Sequence, residues 1–384
     1  KNIVINIRKE LPEIFDEFKD KRRESFLKVK EIKDKNIPVI GIFCTFFPQE
    51  IALAAGATSV SLCSTSDETI KDAEKDLPTN LCPLIKASYG FAITDKCPFF
   101  YFSDLIVGET TCDGKKKMYE YLGEVKNVYV MELPQKRSEE SLKLWTAEIK
   151  KLADYVSKEF GVEITEEKLR EATVIKNAER SAVKEFYGIM KADELPIMGL
   201  DLWHVLNGVQ FEFDKKAVPD ELKKLKEKVL SENKRITGKK RILITGCPIG
   251  GATEKVIEAV ENNGGIVVAY ENCGGAKAID ENVDLDNPDI YDALAKKYLN
   301  IGCACISPNT PRLNLLSRMI DDYKVDGVVD MQLQACTPFQ VETKAIRDFV
   351  TKEKKTPYIQ VETDYSKSDL GQLNTRIEAF LEML

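Results

Sequence analysis

Short runs of consecutive apolar residues, each closed by turn-forming residues, alternate along the chain with charged segments of helical period. PVIGIF, ATSVSL, DLIVGETT and NVYVMELP are such runs in the first third; RILITG, IVVAYEN, DGVVDMQLQ and PYIQVETD are their counterparts in the last. Unbroken apolar character over four to eight residues is the mark of strands buried on both faces of a parallel sheet. Between these runs, PQEIALAAG, CPLIKASYGF, DGKKKMYEYL, TEKVIEAVENNG and PRLNLLSRMIDDY carry helical signals. Pro83 suits a first helical turn, and Gly264–Gly265 suits a helix end. A further short strand is expected in NIGCACI, where Cys303 and Cys305 would point to one face.

The stretch SEESLKLWTAEIKKLADYVSKEFG to PDELKKLKEKVLSENKR is charged, helical and poor in strand signal. It divides the chain into a helical N-terminal segment (1–35), a first α/β domain (36–137), a helical section (138–237) and a second α/β domain (238–384). The two α/β halves read as a weak internal repeat. VIGIFC corresponds in role to RILITGC, SVSLC to VAYENC, DLIVGETTC to DGVVDMQLQAC, and NVYVMELP to PYIQVETD. The fold class expected is therefore α/β: two Rossmann-like parallel-sheet domains in pseudo-repeat, with right-handed crossovers and a helical section between them.

Composition narrows the function. The formal net charge of −7 disfavours nucleic acid as a partner. No apolar stretch approaches the roughly 20 residues that cross a bilayer. The first residues lack the apolar core of a signal peptide, so the expected location is the cytoplasm, where thiols stay reduced. Ten cysteines then need a reading other than disulfides, and the plain one is buried small hydrophobes. His204 is the one histidine, within a helical segment where packing is its simplest role. Its isolation argues against Cys/His catalysis and most zinc sites.

Most of the cysteines sit where a strand gives way to a helix. Cys44, Cys112, Cys247 and Cys336 each follow an apolar run and precede a helical one. Ligands collect beyond the carboxyl ends of strands in open α/β sheets. Helix starts there offer free amide groups that suit an anion, and a thiolate-ligated iron–sulfur cluster is an anion. No CxxC occurs, so the signal lies in the constellation and not in any spacing. GCPIGG lacks both dinucleotide and Walker patterns, and a tight turn explains it. Lys115, Lys116 and Lys117 at a helix start either face solvent or serve an anion or acidic partner.

IFCTFFPQEIALAAGA, VSLCSTSDETI, EKDLPTNLCPLIKASYGF, TDKCPFFYFSDLIVGETTCDGKKKMYEYL, ILITGCPIGGATEKV and VDMQLQAC resemble the 2-hydroxyacyl-CoA dehydratase superfamily. More narrowly, they resemble its branch of double-cubane cluster proteins. The resemblance covers nearly the whole chain. It implies a cubane held by cysteines that match Cys82, Cys112 and Cys336. It also implies a second cubane, joined by a bridging sulfide, for which Cys44, Cys273 and one or both of Cys303 and Cys305 are the candidates by position. Cys63, Cys97 and Cys247 are then packed or supporting residues. Glu50 matches a glutamate near the dehydratase substrate site, as a proton donor or as a carboxylate favoured by its helix start. Gln332 and Gln334 alternate toward Cys336 and carry no assignable role.

The resemblance further implies an ATP-hydrolysing activator, with its own iron–sulfur cluster, that feeds in single low-potential electrons. The expected activity is anaerobic, ATP-driven reduction of small unsaturated or nitrogen-containing molecules such as acetylene or azide, by a homodimer. The alternative is a 2-hydroxyacyl-CoA dehydratase subunit with one four-iron cubane and a partner subunit. A non-catalytic electron carrier is the third possibility.

Overall fold

A computed structural model describes residues 20–247 and 250–384. The helix Asp20–Asp34 falls in the segment expected to be helical; the rest of that expectation lies outside the described residues. Among the described residues eight strands follow: β1 (Val39–Ile42), β2 (Thr58–Ser61), β3 (Leu105–Glu109), β4 (Val128–Met131), β5 (Lys240–Gly246), β6 (Gly265–Tyr270), β7 (Gly327–Leu333) and β8 (Tyr358–Thr363). They form two four-stranded sheets, ordered β2-β1-β3-β4 and β6-β5-β7-β8, with every pairing parallel. The second order is the first repeated one strand for one strand. The pairing of apolar runs inferred from sequence is thus the pairing of positions in the sheets.

Burial follows position in the sheet except at the edge strand β6, which is buried throughout. The central strands β1, β3 and β7 are buried at every residue. The edge strands β4 and β8 expose part of their length. Helices cover both faces, as all-parallel sheets require.

Between the sheets run two long helices, Glu139–Phe160 and Glu166–Tyr187. Ser138 and Thr165 cap their starts by accepting from Ser141 N and Lys168 N, and Gly161, at φ 64°, closes the first. Trp145, Ile149, Leu152 and Val156 share a core with Ile40, Leu105 and Val107 of the first sheet. The same core takes Ile290, Leu294 and Tyr298 from the helix Ile290–Leu299, which belongs to the second half of the chain. One apolar cluster therefore spans both halves.

A buried ion pair reinforces the junction. Arg180 Nη2 lies 2.5 Å from Glu50 Oε1 and 3.0 Å from the Tyr298 hydroxyl, which itself donates to Glu50 Oε2 at 2.7 Å. Arg137 adds bonds to the carbonyls of Leu299, Ile301 and Pro308. Three chain sections are thus clamped together.

One element differs from expectation. Residues 300–306 form turns and no strand. Ile306 N donates to Cys303 O at 3.1 Å, so the Cys303–Ala304–Cys305 run bends back on itself. Gly302 packs so closely on Arg312 that a Cβ there would lie 2.7 Å from its amide nitrogen, which ties the turn to the next helix.

Candidate metal centre

The strand ends deliver the thiols. Cys44 follows β1, Cys63 follows β2, Cys112 follows β3, Cys247 follows β5, Cys273 follows β6 and Cys336 follows β7. Gly246 makes one of these deliveries possible. It adopts φ 121°, and its α-carbon abuts β7 so tightly that a Cβ would overlap the Met331 carbonyl. The next residue, Cys247, is therefore held against β7. Its Sγ accepts from Leu333 N at 2.7 Å and bonds to the Met331 carbonyl at 3.4 Å.

Cys82, Cys112 and Cys336 share a second feature: each is the N-cap residue of a helix, Pro83–Ile93, Asp113–Leu122 and Thr337–Asp348 respectively. None closes a full capping hydrogen bond. The amides of Leu84 and Ile85, of Lys115, and of Phe339 nevertheless lie near enough to favour the corresponding thiolates.

The thiols gather in two groups. In one, Cys336 lies beside both Cys82 and Cys247, and Cys112 stands within electrostatic range of Cys82. In the other, the thiols of Cys303 and Cys305 lie beside each other, and Cys44 lies within range of Cys273 and Cys303. Cys112 is also within range of Cys303, and Cys305 is within range of both Cys112 and Cys44. The two groups are therefore neighbours, with Cys112 at their junction.

The remaining cysteines have local tasks. Cys63 donates to the Phe43 carbonyl at 3.0 Å while facing Lys115 and Cys82. Cys97 caps the short helix Pro98–Phe102 by accepting from Phe100 N at 3.4 Å. The contact between Cys247 and Cys336 was not legible in the sequence, because it depends on β5 lying beside β7.

Gathering so many thiols has an electrostatic cost. Burial pushes the thiols of Cys44, Cys63, Cys112 and Cys273 up. Hydrogen bonding to a neighbouring thiol pushes Cys82, Cys305 and Cys336 up, whereas the bond from Cys305 brings Cys303 down to about 6. These groups cannot all ionise together without a shared cation.

Buried polar atoms without hydrogen-bond partners collect in the same neighbourhood. They include both carboxylate oxygens of Glu109, the hydroxyls of Tyr119 and Tyr365, and Asn272 Oδ1. Tyr365 faces Cys82, Cys63, Cys247 and Cys336, and Lys277 faces Cys273 and Cys303. Native interiors leave few such atoms unpaired. Among the described residues no three Cys, His, Asp or Glu side chains converge on a point as they would around a single ion. A multi-iron cluster asks for something else: thiolates spread around an extended inorganic body. The donor set and the unpaired polar atoms fit such a body.

Two buried lysines flank the thiols. Lys115 Nζ donates to the Phe43 carbonyl at 3.2 Å. Although burial opposes its charge, Tyr119, Cys63, Cys44 and Cys112 hold its pKa well above the usual lysine range. Lys116 and Lys117 instead pair on the surface with Asp113 and Glu120. Lys277 lies 3.3 Å from Glu271 Oε1, and Glu271 is shared with Arg312. Glu109, at the end of β3, is fully buried beside Lys115, and burial pushes its carboxyl up to about 8. Sequence reasoning passed over Glu109 and Lys277. A carboxylate closing the apolar run DLIVGE was the signal for the first; Lys277, four residues after Cys273, carried none.

Glu50 is also fully buried, but in a different setting. Against the effect of burial, Arg180 and Lys176 hold its carboxyl below the usual range. An ionised carboxylate with both oxygens engaged favours anchoring over the donation of a proton. Gln332 is buried and donates to Asp330, whereas Gln334 is exposed. His204 lies half-exposed on the helix Gly199–Gln210, 3.9 Å from Glu254. Of the GCPIGG loop, Pro248 and Ile249 lie outside the described residues; Gly250 abuts Thr65 of the first half.

Comparison with known proteins agrees with this architecture. A family model described as 2-hydroxyglutaryl-CoA dehydratase, D-component, matches residues 44–384. The putative dehydratase subunit YjiM of Escherichia coli (strain K12) is 55% identical over 379 residues, covering 98% of this chain and 99% of that protein. The (R)-phenyllactyl-CoA dehydratase beta subunit of Clostridium sporogenes is 23% identical over 380 residues, covering 96% and 98%. The lactoyl-CoA dehydratase subunit beta of Anaerotignum propionicum is 21% identical over 352 residues, covering 90% and 91%. With nearly its whole length matched, the chain belongs to the 2-hydroxyglutaryl-CoA dehydratase D-component family, within the 2-hydroxyacyl-CoA dehydratase superfamily.

Proposed function

We propose that this chain is an iron–sulfur reductase component that takes low-potential electrons from an ATP-hydrolysing activator and reduces small molecules at a double-cubane cluster. Cys82, Cys112 and Cys336 would hold one cubane; Cys44, Cys273 and one or both of Cys303 and Cys305 would hold the other. The observation that carries this reading is the second group of thiols. A single cubane needs only the first three, yet four more cysteines stand beside them, joined through Cys112 and Cys305. Bound there, the cluster would store two electrons, received one at a time, for delivery to a small molecule. The protein's own residues would supply position and charge: helix-start amides at three ligands, Lys115 and Lys277 beside the sulfur atoms, and an apolar wall that keeps water out. A cytoplasmic homodimer is part of the same proposal.

A dehydratase subunit with one cubane and a partner subunit is the second reading. It is favoured by the names of the relatives, two of which are beta subunits of acyl-CoA dehydratases. Iron and acid-labile sulfide per chain, measured on protein prepared without oxygen, separate the two. About eight irons are expected for the double cubane and about four for the dehydratase. Absence of iron after reconstitution would overturn both.

A further inference from the structure

Each half of the molecule places one buried lysine against the thiols, but the two lysines differ in what else surrounds them. Lys277 shares its site with an ionised Glu271, held so by Lys277 and Arg312 against the effect of burial. Arg312 in turn contacts Glu342, with Asp330 nearby. That network carries cations and carboxylates in nearly equal number, so Lys277 adds little uncompensated charge. The carboxylate that the described residues place beside Lys115 is Glu109, and burial pushes that carboxyl up to about 8. Its remaining neighbours are the Tyr119 hydroxyl, the thiols of Cys44, Cys63 and Cys112, and the Phe43 carbonyl and ring. Its field also reaches Cys273 of the second half. Lys115 thus presents a full, unneutralised positive charge at the junction of the two thiol groups.

We propose that Lys115 is a positioning residue that counterbalances the negative charge of the inorganic cluster and thereby raises its reduction potential. This rests on the reading of the thiols as a cluster site. The physical basis is simple. Reduction adds negative charge to an anion that is already desolvated, and a fixed cation at close range in a low-dielectric pocket favours the more reduced form. A neutral side chain of similar length removes that help while preserving volume.

The test is a spectroscopic redox titration of the full-length, reconstituted protein as wild type, Lys115→Met, Lys115→Arg and Lys277→Met, with iron content and circular dichroism measured on each. The expected result is a midpoint shifted to more negative potential in Lys115→Met, restored toward wild type in Lys115→Arg, and shifted less in Lys277→Met. Should Lys115→Met fold but load less iron, restoration of the load by Lys115→Arg carries the same conclusion. An unchanged midpoint and iron load in Lys115→Met overturn the proposal. So does an equal defect in the Met and Arg variants, which would mean that shape and not charge is what matters. Iron-free wild type after reconstitution would instead overturn the cluster reading itself, an outcome distinct from both.

Discussion

Glu109→Gln should stabilise the iron-free protein in alkaline solution. Glu109 sits fully buried at the end of β3 with neither carboxylate oxygen hydrogen-bonded. Burial raises its pKa from 4.5 to about 8 in the folded state, with Lys115 offsetting part of the rise. A group whose folded pKa lies above its unfolded value binds its proton more tightly in the fold. The stability linked to that proton is fully present below the unfolded pKa and is lost as pH climbs through the folded one. A difference of about 3.5 units at 1.36 kcal/mol each gives a loss of about 5 kcal/mol between pH 4.5 and pH 8. Glutamine keeps the shape and cannot ionise, so its variant escapes that loss. Urea unfolding of both proteins at pH 5, 7 and 9 reads the effect. The midpoints should lie close at pH 5 and diverge progressively, with the variant more stable at pH 9. Parallel pH profiles would refute the argument, because they would mean that Glu109 meets water or a hidden partner once ionised.

Other outcomes follow from the same structure. Arg180→Met leaves Glu50 buried without its cation and should cost about 3–5 kcal/mol, most of it recovered by adding Glu50→Gln, as a double-mutant cycle in chemical denaturation would show. If the proposed cluster is bound, Cys112→Ala should strip or distort it, because that thiol joins the two groups, whereas Cys63→Ala should leave the iron content nearly unchanged; equal losses would mean the ligand choice is wrong. Trp145→Ala opens a large cavity in the core shared by the first sheet and both long helices, and should cost about 3–5 kcal/mol in thermal unfolding.

Much of the fold was legible because it rests on local signals. Apolar runs marked the eight strands of the described residues, and Pro83 and Gly264–Gly265 marked helix ends where the chain forms them. The repeat predicted which strands occupy equivalent places. The site was legible only in part, because its chemistry depends on distances that sequence does not encode. The strand expected at NIGCACI is a turn: Cys303 must bend back for its thiol to meet Cys305, and alternate residues of a strand would stand roughly 6.5 Å apart. Cys247 touches Cys336 only because β5 pairs with β7. The run of Lys115, Lys116 and Lys117 left a solvated face and an anion partner both open; the helix buries Lys115 and leaves Lys116 and Lys117 outside. Glu50 matched a family position, but its Arg180 partner lies in the helical section, 130 residues away, and no local pattern announces such a pairing.

The clamp between the halves and the thiol pocket are built from different residues, and this separation has a consequence for assembly. Glu50, Arg180 and Tyr298 close the junction through charge and hydrogen bonds, and Trp145 and Leu294 close it through apolar packing; none of them is a candidate ligand. The halves can therefore be held in place before any inorganic group arrives. A pocket fixed in advance spares a cluster the entropic cost of ordering six separate loops. The same pocket suffers from its own crowding when empty, since its thiols hinder one another's ionisation and its polar atoms lack partners. On the proposed cluster reading, the driving force for binding would lie at the site, in thiols and polar atoms that a cation-rich body would satisfy together, and not in a collapse of the surrounding protein.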